Sequence, residues 1–451
     1  MPAQAHMSIG MNILGHGGHQ AAWRQAEVEP RACLDVSYYQ NIARISERGT
    51  LDAIFLADGP ALGGDVGSQP AGRLEPTVLL TAVALATTHI GVIATCSSSY
   101  NSPYNLARRL QSVDHISGGR TAWNVVTNAG DAAARNFGLA GAPVHADRYG
   151  RADEFVDVVV KLWDSWEDDA IIGDAAAGIY ADPAKVHEID HHGPHFVVRG
   201  PLNVPRSPQG RPVIVQAGSS EGGKALGSRR ADAIFTTQTT LEDGIAFYQE
   251  MKSRARGWGR NPDHLKIMPG ISTVIGSTEG EAQRRCDELD SWLGEQGLAG
   301  QIAQRTGLPL SALDLDGPLP WEKIGKVVDF ERGSHGFLEA QLNLARREGL
   351  TVRQLSRRIR SGHRLVVGSP EQVADTMEQW FRAGAADGFN LMPDMFPSGA
   401  EIFVDEVVPI LRARGLFRHE YTGTTLRDHL GLPYPHSQFA TPEAGRRQDA
   451  S

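Results

Sequence analysis

The sequence predicts an α/β fold, a (β/α)8 TIM barrel with insertions, and two observations support this prediction. Short runs rich in Val, Ile and Phe alternate with amphipathic stretches of helical length, which is the pattern of repeated βα units around a parallel sheet. Eight such runs can be counted, and eight is the number of strands that closes this barrel. Because barrel enzymes carry their active sites at the carboxyl ends of the strands, we look for functional residues there.

The predicted elements follow one another along most of the chain. The strands are expected at residues 7–14, 52–58, 90–97, 120–127, 213–218, 233–237, 267–275 and 388–392. The helices are expected at residues 35–48, 76–86, 103–115, 147–166, 222–228, 241–256, 279–293 and 370–383. Two helix starts carry local signals, because Pro103 falls in a first turn and Ser369 is a good N-cap before Pro370.

Three segments do not fit the repeat. Residues 170–211 are rich in Gly, Pro and His, residues 299–364 include an Arg-rich stretch, and the end of the chain is polar. We therefore expect one domain over residues 1–432 with insertions at about 170–211 and 299–364, and a disordered tail at 433–451. Insertions in barrels form dimer surfaces or cover the active site. We expect the second insertion to be a mobile cover, with a dimer surface as the alternative.

The composition argues against several classes of partner. The 451 residues include 44 Lys and Arg against 53 Asp and Glu, a formal net charge of −9 with both signs interspersed, so we expect neither a nucleic-acid nor a membrane partner. Cys33, Cys96 and Cys286 are far apart and odd in number, which argues against a disulfide framework or a CxxC motif. Without a signal peptide or a long apolar run, the protein is expected to be unprocessed, soluble and cytoplasmic.

Polar side chains stand at the ends of the first four predicted strands. His16 and His19 follow the first strand, Asp58 ends the second and Thr95 lies near the end of the third. In the fourth strand, the alternation of side chains places Asn124 inside the barrel. Structural alternatives stay open at this point. Asp58 could be a turn residue, and each histidine could donate to a nearby carbonyl group.

The fifth predicted strand leads into a candidate phosphate site. It ends at Ser219 and Ser220 and enters a helix through Gly222 and Gly223, and a helix N-terminus with two hydroxyl groups suits a phosphate. The stretch is close to the P-loop pattern, but Ala225 replaces the hydroxyl that would hold magnesium. A phosphate-bearing cofactor is therefore favoured over a nucleoside triphosphate. No Gly-x-Gly-x-x-Gly sequence opens a βαβ unit, so no nicotinamide domain is expected.

Two further groups of side chains are interpreted as structural. His187, His191, His192 and His195 lie in a turn-rich insertion, and no carboxylate stands at a helical spacing beside them, so no metal site is expected. The Arg-rich residues 353–364 are interpreted as a solvated helix face, with the binding of an anionic substrate as the alternative.

Several motifs occur in a fixed order along the chain. They are MNILGH at 11–16, DAIFLAD at 52–58, DH at 114–115 with GR at 119–120, WNVVT at 123–127, QAGSS at 216–220, DGFN at 387–390, VVP at 407–409 and RGL at 414–416. Together they resemble the nitrilotriacetate, pristinamycin and dibenzothiophene-sulfone monooxygenase family, within the bacterial-luciferase-like flavin-dependent monooxygenases. The resemblance covers about residues 11–432, and the joint occurrence of the motifs in order is highly specific.

The resemblance implies a set of cofactor contacts. Carried over by position, it assigns FMN binding to Asp58, Thr95, His145, Tyr149 and Ser219, with Ser220 and Asn124 as additions. The assignment of Ser219 agrees with the phosphate site inferred from the residues themselves. The chain departs from long-chain alkane relatives, which carry Cys where Ile13 stands and His where Ala129 stands, and this argues against an alkane substrate.

The resemblance also implies a reaction and its partners. Reduced FMN would arrive in trans from a separate NAD(P)H-dependent flavin reductase and react with O2 at its C4a atom, and the hydroperoxide would transfer one oxygen to a small organic substrate. His16 and Asn124 are the candidate hydrogen-bond donors for catalysis. A homodimer or homotetramer is expected. Two alternatives are a deazaflavin (F420)-dependent oxidoreductase on the same barrel and a non-catalytic flavin-binding protein.

Overall fold

The structure is a computed structural model, and it describes residues 6–63, 66–67, 69–128, 130–141, 145–327, 336–358 and 362–440. For residues 145–147, 325–327 and 336–337 only the backbone is described. The strands are β1 (Ser8–Asn12), β2 (Ala53–Leu56), β3 (Gly91–Ser97), β4 (Thr121–Val126), β5 (Ile171–Asp174), β6 (Ile179–Ala181), β7 (His191–His192), β8 (Val197–Val198), β9 (Val213–Ala217), β10 (Ala233–Thr236), β11 (Lys266–Ile275), β12 (Arg364–Gly368) and β13 (Gly388–Pro393). The helices are α1 (Val36–Arg48), α2 (Pro76–Ala84), α3 (Pro103–Ile116), α4 (Asp131–Asn136), α5 (His145–Asp164), α6 (Glu221–Arg230), α7 (Leu241–Gly257), α8 (Glu279–Thr306), α9 (Trp321–Val327), α10 (Gly336–Glu348), α11 (Val352–Arg358), α12 (Pro370–Arg382), α13 (Ser398–Ile402), α14 (Val408–Ala413) and α15 (Leu426–His429).

Eight parallel strands close into a barrel. In the order β1, β2, β3, β4, β9, β10, β11 and β13, each strand is hydrogen-bonded to the next, and β13 pairs back onto β1. All eight strands are those that the sequence predicts, and the (β/α)8 barrel is confirmed. Apolar side chains fill the interior, where the ring centroids of Phe55 and Phe235 lie 5.6 Å apart. Layers of such side chains make the barrel a packed core rather than a pore.

The helices predicted between the barrel strands are present, and side chains cap several of their starts. Asp35 accepts a hydrogen bond from the Ser37 N–H at the start of α1, and Ser369 with Gln372 forms a capping box at α12. These caps satisfy backbone N–H groups that have no partner inside a helix. Helix α8 continues past its predicted end at residue 293 and bends at Gly294, whose φ is 64°. None of the helices described here has the length and apolar character of a membrane span.

The second insertion, for which the sequence predicts an Arg-rich helix face, contains several helices among its described residues. It is largely helical, and its helices share a hydrophobic core of their own that includes Leu319, Leu342 and Leu355. Residues Arg364–Gly368, which begin at the predicted end of this insertion, form the ninth parallel strand β12 on residues 271–275 of β11. The sequence prediction missed β12 because the strand is short and follows directly on the Arg-rich stretch.

Residues 433–440, the first part of the predicted disordered tail, contact the body of the protein. The Ser437 hydroxyl donates to the Asp164 carbonyl at 2.7 Å, and the Phe439 ring stacks on His187 with centroids 5.0 Å apart. An aromatic residue that packs against the first insertion therefore anchors a segment whose composition indicates disorder. Residues 441–451 lie outside the described residues.

Charged residues at the amino ends of the barrel strands are buried and paired. Asp52, directly before β2, accepts a hydrogen bond from the Ile9 N–H at 2.6 Å and forms an ion pair with Arg418. Arg120, directly before β4, donates to the Ile90 carbonyl at 2.8 Å. Asp52 and Arg120 both belong to the motifs quoted above. At this end of a (β/α)8 barrel such residues contribute to stability.

Candidate active site

Two cavities open at the carboxyl ends of the barrel strands. The larger has a volume of about 860 Å³ and lies against the segments that follow β1 and β2, and α8 contributes Gln301, Gln304 and Arg305 to its lining. The smaller, of about 230 Å³, lies at the ends of β3 and β4 and is lined by Thr95 among others. Asp58 lines both cavities. The second insertion thus reaches the barrel mouth, where the sequence predicts a cover, and its mobility stays a prediction.

Thr95 and Asn124 form a buried pair on neighbouring strands. They are partners in the register of β3 and β4, and the Asn124 Nδ2 donates to the Thr95 Oγ1 at 2.9 Å. Asn124 alternates with the outward-packing Trp123 and shares the interior face with Ala122. Its Oδ1 is buried and has no hydrogen-bond partner among the described residues. A buried polar atom without a partner indicates a place for a ligand or water.

The predicted phosphate site forms at the start of α6. Ser220 is the N-cap, and its Oγ accepts a hydrogen bond from the Gly223 N–H at 3.2 Å. The Tyr149 hydroxyl lies 3.2 Å from the same Ser220 Oγ. The neighbouring Ser219 Oγ is buried, again with no partner within the described part of the chain. Gly222 permits this close approach, because a Cβ there would lie 2.7 Å from the Tyr149 ring.

The structure thus places the Tyr149 hydroxyl beside Ser220, which belongs to the phosphate site predicted from the local sequence. Tyr149 itself was implied only by the resemblance. His145 begins α5 one helical turn before Tyr149. The side chain of His145 lies outside the described part of the chain, as does Ala129.

Asp58 lies at the end of β2 in a half-buried position between the two cavities. Burial raises the pKa of its carboxyl group, while a hydrogen bond from the Gly59 N–H acts against the rise. The nearby Glu75 carboxylate adds to the rise and the Arg73 guanidinium opposes it. A raised pKa lies closer to neutral pH, where a carboxyl group with such a pKa can both hold and release a proton.

His16 lines the larger cavity, and the structure engages both of its ring nitrogens. Nε2 lies 3.2 Å from the Glu29 carbonyl oxygen, and Nδ1 lies 3.4 Å from the Cys33 Sγ. Because a carbonyl only accepts, Nε2 carries the proton and Nδ1 accepts from the thiol. Burial lowers the pKa of His16 and raises the pKa of Cys33 to about 11, so both groups are uncharged at neutral pH. The predicted role of His16 as a catalytic donor therefore requires one of these contacts to open.

His19 has a structural role in this conformation. Such a role was the alternative interpretation for both His16 and His19. Its Nε2 lies 3.2 Å from the Asp290 carboxylate of α8, and its Nδ1 accepts a hydrogen bond from the Ala21 N–H at 3.0 Å. These contacts attach the segment after β1 to α8. They position one wall of the larger cavity.

The sequence prediction missed the cationic side chains of the larger cavity. Arg73 donates to the Ala57 carbonyl at 3.4 Å, and Arg305 donates to the Gln341 Oε1 at 3.3 Å. Neither arginine belongs to a motif or a periodic pattern. Arg305 reaches the mouth because α8 continues beyond the bend at Gly294, whereas the sequence pattern ends this helix before the bend.

Histidines and arginines of the insertions contact nearby carboxylates. His187 Nε2 lies 2.8 Å from Glu167, and His191 Nε2 lies 3.1 Å from Glu154. Nowhere in the described residues do three metal-binding side chains come together. In the Arg-rich stretch, Arg353 pairs with carboxylates of neighbouring segments. These contacts support the structural interpretation of both groups.

Comparison with known proteins identifies relatives along the whole length. The family model for luciferase-like monooxygenases matches residues 7–387. The chain is 46% identical to nitrilotriacetate monooxygenase component A of Aminobacter aminovorans, over 98% of this chain and 100% of that protein. It is 42% identical to dibenzothiophene-sulfone monooxygenase of Rhodococcus erythropolis, over 97% and 98% respectively.

Solved structures are also similar over most of the chain. The EDTA monooxygenase of Chelativorans sp. BNC1 has a TM-score of 0.79 at 37% identity, covering 95% of this chain and 99% of that one. A riboflavin lyase with modified FMN and riboflavin has a TM-score of 0.83 at 34% identity, covering 98% and 99%. An F420-dependent secondary alcohol dehydrogenase reaches a TM-score of 0.56 at 13% identity, covering 89% and 98%. This last likeness concerns the fold alone.

The barrel, its polar mouth and these similarities define the class of protein: the chain is an oxidoreductase, a flavin-dependent monooxygenase. It belongs to the luciferase-like monooxygenase family. The resemblance read from the sequence motifs is confirmed. For the F420-dependent alternative, the secondary alcohol dehydrogenase above and a coenzyme F420-dependent tetrahydromethanopterin reductase from Methanopyrus kandleri, at 14% identity, are distant matches that show the fold alone.

Proposed function

We propose that the chain is the oxygenase component of a two-component system, which uses reduced FMN from a separate NAD(P)H-dependent flavin reductase and O2 to oxygenate a small organic substrate. One observation carries the proposal. The buried Ser219 Oγ and Asn124 Oδ1 lack partners among the described residues, and both lie at the carboxyl ends of barrel strands. An unpaired buried polar atom costs about 1–3 kcal/mol, so a ligand that pairs with them is favoured.

The start of α6 fits the phosphate of FMN. Ser219 and Ser220 present hydroxyl groups there, with the Tyr149 hydroxyl 3.2 Å from the Ser220 Oγ. The positive end of the helix dipole and the backbone N–H groups of the first turn favour an anion at this position. We therefore assign the phosphate to Ser219, Ser220 and Tyr149, with His145 as the further residue that the resemblance implies.

The barrel mouth between this site and the larger cavity fits the flavin ring. Asn124, Thr95 and Asp58 present an amide, a hydroxyl and a carboxyl group at the ends of three successive strands. Such groups can pair with the polar edge of an isoalloxazine ring. The cavity of about 860 Å³ beside Asp58 then receives the substrate.

The residues of the chain are proposed to position the flavin and the substrate, to shield them from water and to exchange protons with them. Bound reduced FMN supplies two electrons, so that one atom of O2 enters the substrate and the other leaves as water. One hydrogen of the Asn124 Nδ2 bonds the Thr95 Oγ1, and its second hydrogen is the proposed donor where negative charge develops. Asp58, with its raised pKa, can hold a proton between the two cavities. The α8 residues over the larger cavity limit the access of water.

The electron donor is proposed to be a separate protein because the sequence contains no dinucleotide fingerprint. The name of the Aminobacter aminovorans relative, component A, is consistent with a second component. We expect negligible NADH oxidation by the purified chain with NADH, FMN and O2, and O2 uptake once a competent flavin reductase is added. Robust NADH consumption by the chain alone would contradict this part of the proposal.

We also propose a homodimer or homotetramer in the cytoplasm. Val78 and Leu85 of the α2 region are 73% and 71% exposed, an apolar surface that self-association would cover. The thiols of Cys33, Cys96 and Cys286 are buried and not in disulfides, as suits a reducing compartment. Light scattering on the purified protein would measure the mass of the assembly.

A further inference from the structure

The smaller cavity, at the ends of β3 and β4, contains polar side-chain atoms that the fold leaves unpaired. The Tyr100 Oη, the Arg109 Nε and the Asn128 Oδ1 are buried without a hydrogen-bond partner among the described residues, and all three residues line the cavity. They belong to the loop after β3, to α3 and to the loop after β4. Buried polar atoms without a partner indicate a ligand or water, so this cavity of about 230 Å³ is a candidate binding site.

Arg109 is the single cation among the described residues of this lining. Its Nη2 donates to the Asn101 Oδ1 at 3.2 Å, and it forms no ion pair within the described part of the chain. The Asn101 Nδ2 donates in turn to the Ser97 carbonyl at 2.8 Å. Ser97 ends β3 two residues after Thr95, on the same face of the strand. Two hydrogen bonds therefore hold the guanidinium group beside the strand end that carries Thr95.

The flavin ring is the ligand that this cavity adjoins in the proposed function. Thr95 and Asp58, to which the ring is assigned above, also line the smaller cavity. The oxidised ring is uncharged, whereas reduced flavin readily loses the proton of N1, and the negative charge then lies on N1 and the C2 oxygen of its pyrimidine part. A fixed cation at this place interacts more strongly with the reduced ring than with the oxidised ring.

Two carboxyl groups in the same lining make a cation necessary for an anionic ring. Asp58 is half-buried, and the Glu75 carboxylate accepts a hydrogen bond from the Val78 N–H at 2.9 Å at the start of α2. The negative charge of these two groups opposes the binding of an anion. The guanidinium group of Arg109 offsets this repulsion, and its removal should therefore penalise the reduced ring selectively.

We propose that Arg109 stabilises the negative charge of reduced FMN and so makes the site bind the reduced cofactor in preference to oxidised FMN. The inference rests on the proposed function, since it takes Thr95 and Asp58 as contacts of the flavin ring. Hydrogen bonds between a guanidinium group and an anion are about twice as strong as those between neutral groups. An oxygenase that receives reduced FMN from a separate protein meets oxidised FMN as a competitor, and this preference decides which form occupies the site.

The test is an anaerobic titration of the full chain with reduced and with oxidised FMN. Arg109→Gln should weaken the binding of reduced FMN about 10- to 100-fold and that of oxidised FMN by no more than about 3-fold. The midpoint potential of bound FMN should then fall by about 30–60 mV, because a tenfold change corresponds to about 30 mV for two electrons. Arg109→Lys, which keeps the charge, should restore part of the loss.

Reduced riboflavin separates a contact with the ring from a contact with the phosphate. Arg109→Gln should weaken reduced riboflavin as much as reduced FMN, because the charge of Arg109 acts on the ring that both share. A loss confined to FMN would place Arg109 at the phosphate and overturn the inference.

The matched control is Arg108→Gln, at the next position of α3, where the side chain is exposed and lies outside the cavity lining. Both forms of FMN should bind to this variant as they bind to the wild type. Equal weakening of reduced and oxidised FMN in Arg109→Gln, or an unchanged ratio of the two affinities, overturns the inference. The proposed function is judged separately. A chain that binds reduced FMN with an unchanged ratio in the variant contradicts only the role of Arg109, whereas a chain that binds no FMN contradicts the proposed function itself.

Discussion

At the amino end of the barrel, the buried Asp52 carboxylate is paired with Arg418 and with the Ile9 N–H. At the carboxyl end, the buried oxygen atoms of Ser219 and Asn124 have no partner in the part of the chain that the structure describes. A pair inside the chain compensates for lost hydration during folding, whereas an unpaired group is compensated only by water or a ligand. Both ring nitrogens of His429 at the amino end are also buried without a partner among the described residues. The two ends therefore differ in the ion pair of Asp52, which stabilises the fold, and in the unpaired Ser219 oxygen beside the first turn of α6, a position that favours an anionic ligand.

The largest effect is expected at the amino end. Arg418→Met leaves the Asp52 carboxylate buried without its cation, and should lower the free energy of unfolding by about 3–5 kcal/mol. Urea unfolding followed by circular dichroism measures this loss. In the control, Arg48→Met breaks an ion pair whose side chains are 53% and 46% exposed, and should cost no more than about 1 kcal/mol. The FMN affinity of the folded protein should be unchanged in both variants. Equal losses of stability in Arg418→Met and Arg48→Met would contradict the stabilising role of the buried ion pair.

A second effect at the amino end depends on pH. Burial lowers the pKa of His429 to about 4, with the Arg418 charge adding to the effect. An unfolded histidine titrates near 6.5, so between pH 6.5 and 4 the unfolded state binds more protons and stability falls as the pH falls. The loss is on the order of 3 kcal/mol at pH 4. His429→Phe should remove it, so that unfolding at pH 7 and at pH 4 differs less than in the wild type. An unchanged pH dependence would show that His429 is not buried in its neutral form.

The carboxyl end should respond in the opposite way, with a change in binding and none in stability. Ser219→Ala should weaken FMN about 10- to 100-fold, since a donor to a charged oxygen contributes roughly 1.5–3 kcal/mol. Riboflavin, which lacks the phosphate, should bind as before. The free energy of unfolding of the flavin-free chain should not fall, because the Ser219 Oγ has no partner among the described residues whose hydrogen bond would be lost. The control is Ser228→Ala in the same helix, where the hydroxyl donates to the Ala225 carbonyl. Equal weakening of both flavins would place the phosphate elsewhere.

The barrel could be predicted from the sequence because each strand is a short apolar run and each helix an amphipathic one. The strand ends also located Asp58, Thr95, Asn124 and Ser219, since the carboxyl ends of parallel strands meet at one face. The motifs alone do not separate the two ends of the barrel, because they include residues of both ends. Arg120 belongs to the same set of motifs as Asn124, and only the structure shows that Arg120 donates to backbone carbonyls.

The remaining features depend on tertiary contacts that leave no local pattern. The approach of Arg305 to the mouth follows from the length of α8 beyond Gly294. The state of His16 is set by Glu29 and Cys33, in an irregular segment between β1 and α1. The core of the second insertion joins residues of α8, α10 and α11 that are far apart in the sequence, and only the Arg-rich helix face of this region was predicted. Long-range packing of this kind overrides local propensity.

The carboxyl end of the barrel is proposed as a site for reduced FMN, and an anaerobic equilibrium titration tests this proposal most directly. The wild-type chain would be titrated with reduced FMN and, separately, with the reduced deazaflavin F420, and the Ser219→Ala variant would be titrated in parallel. We expect saturable binding of one reduced FMN per chain, weaker binding in the variant, and weaker binding of F420 than of reduced FMN. No binding of reduced FMN, or tighter binding of the deazaflavin, would contradict the account.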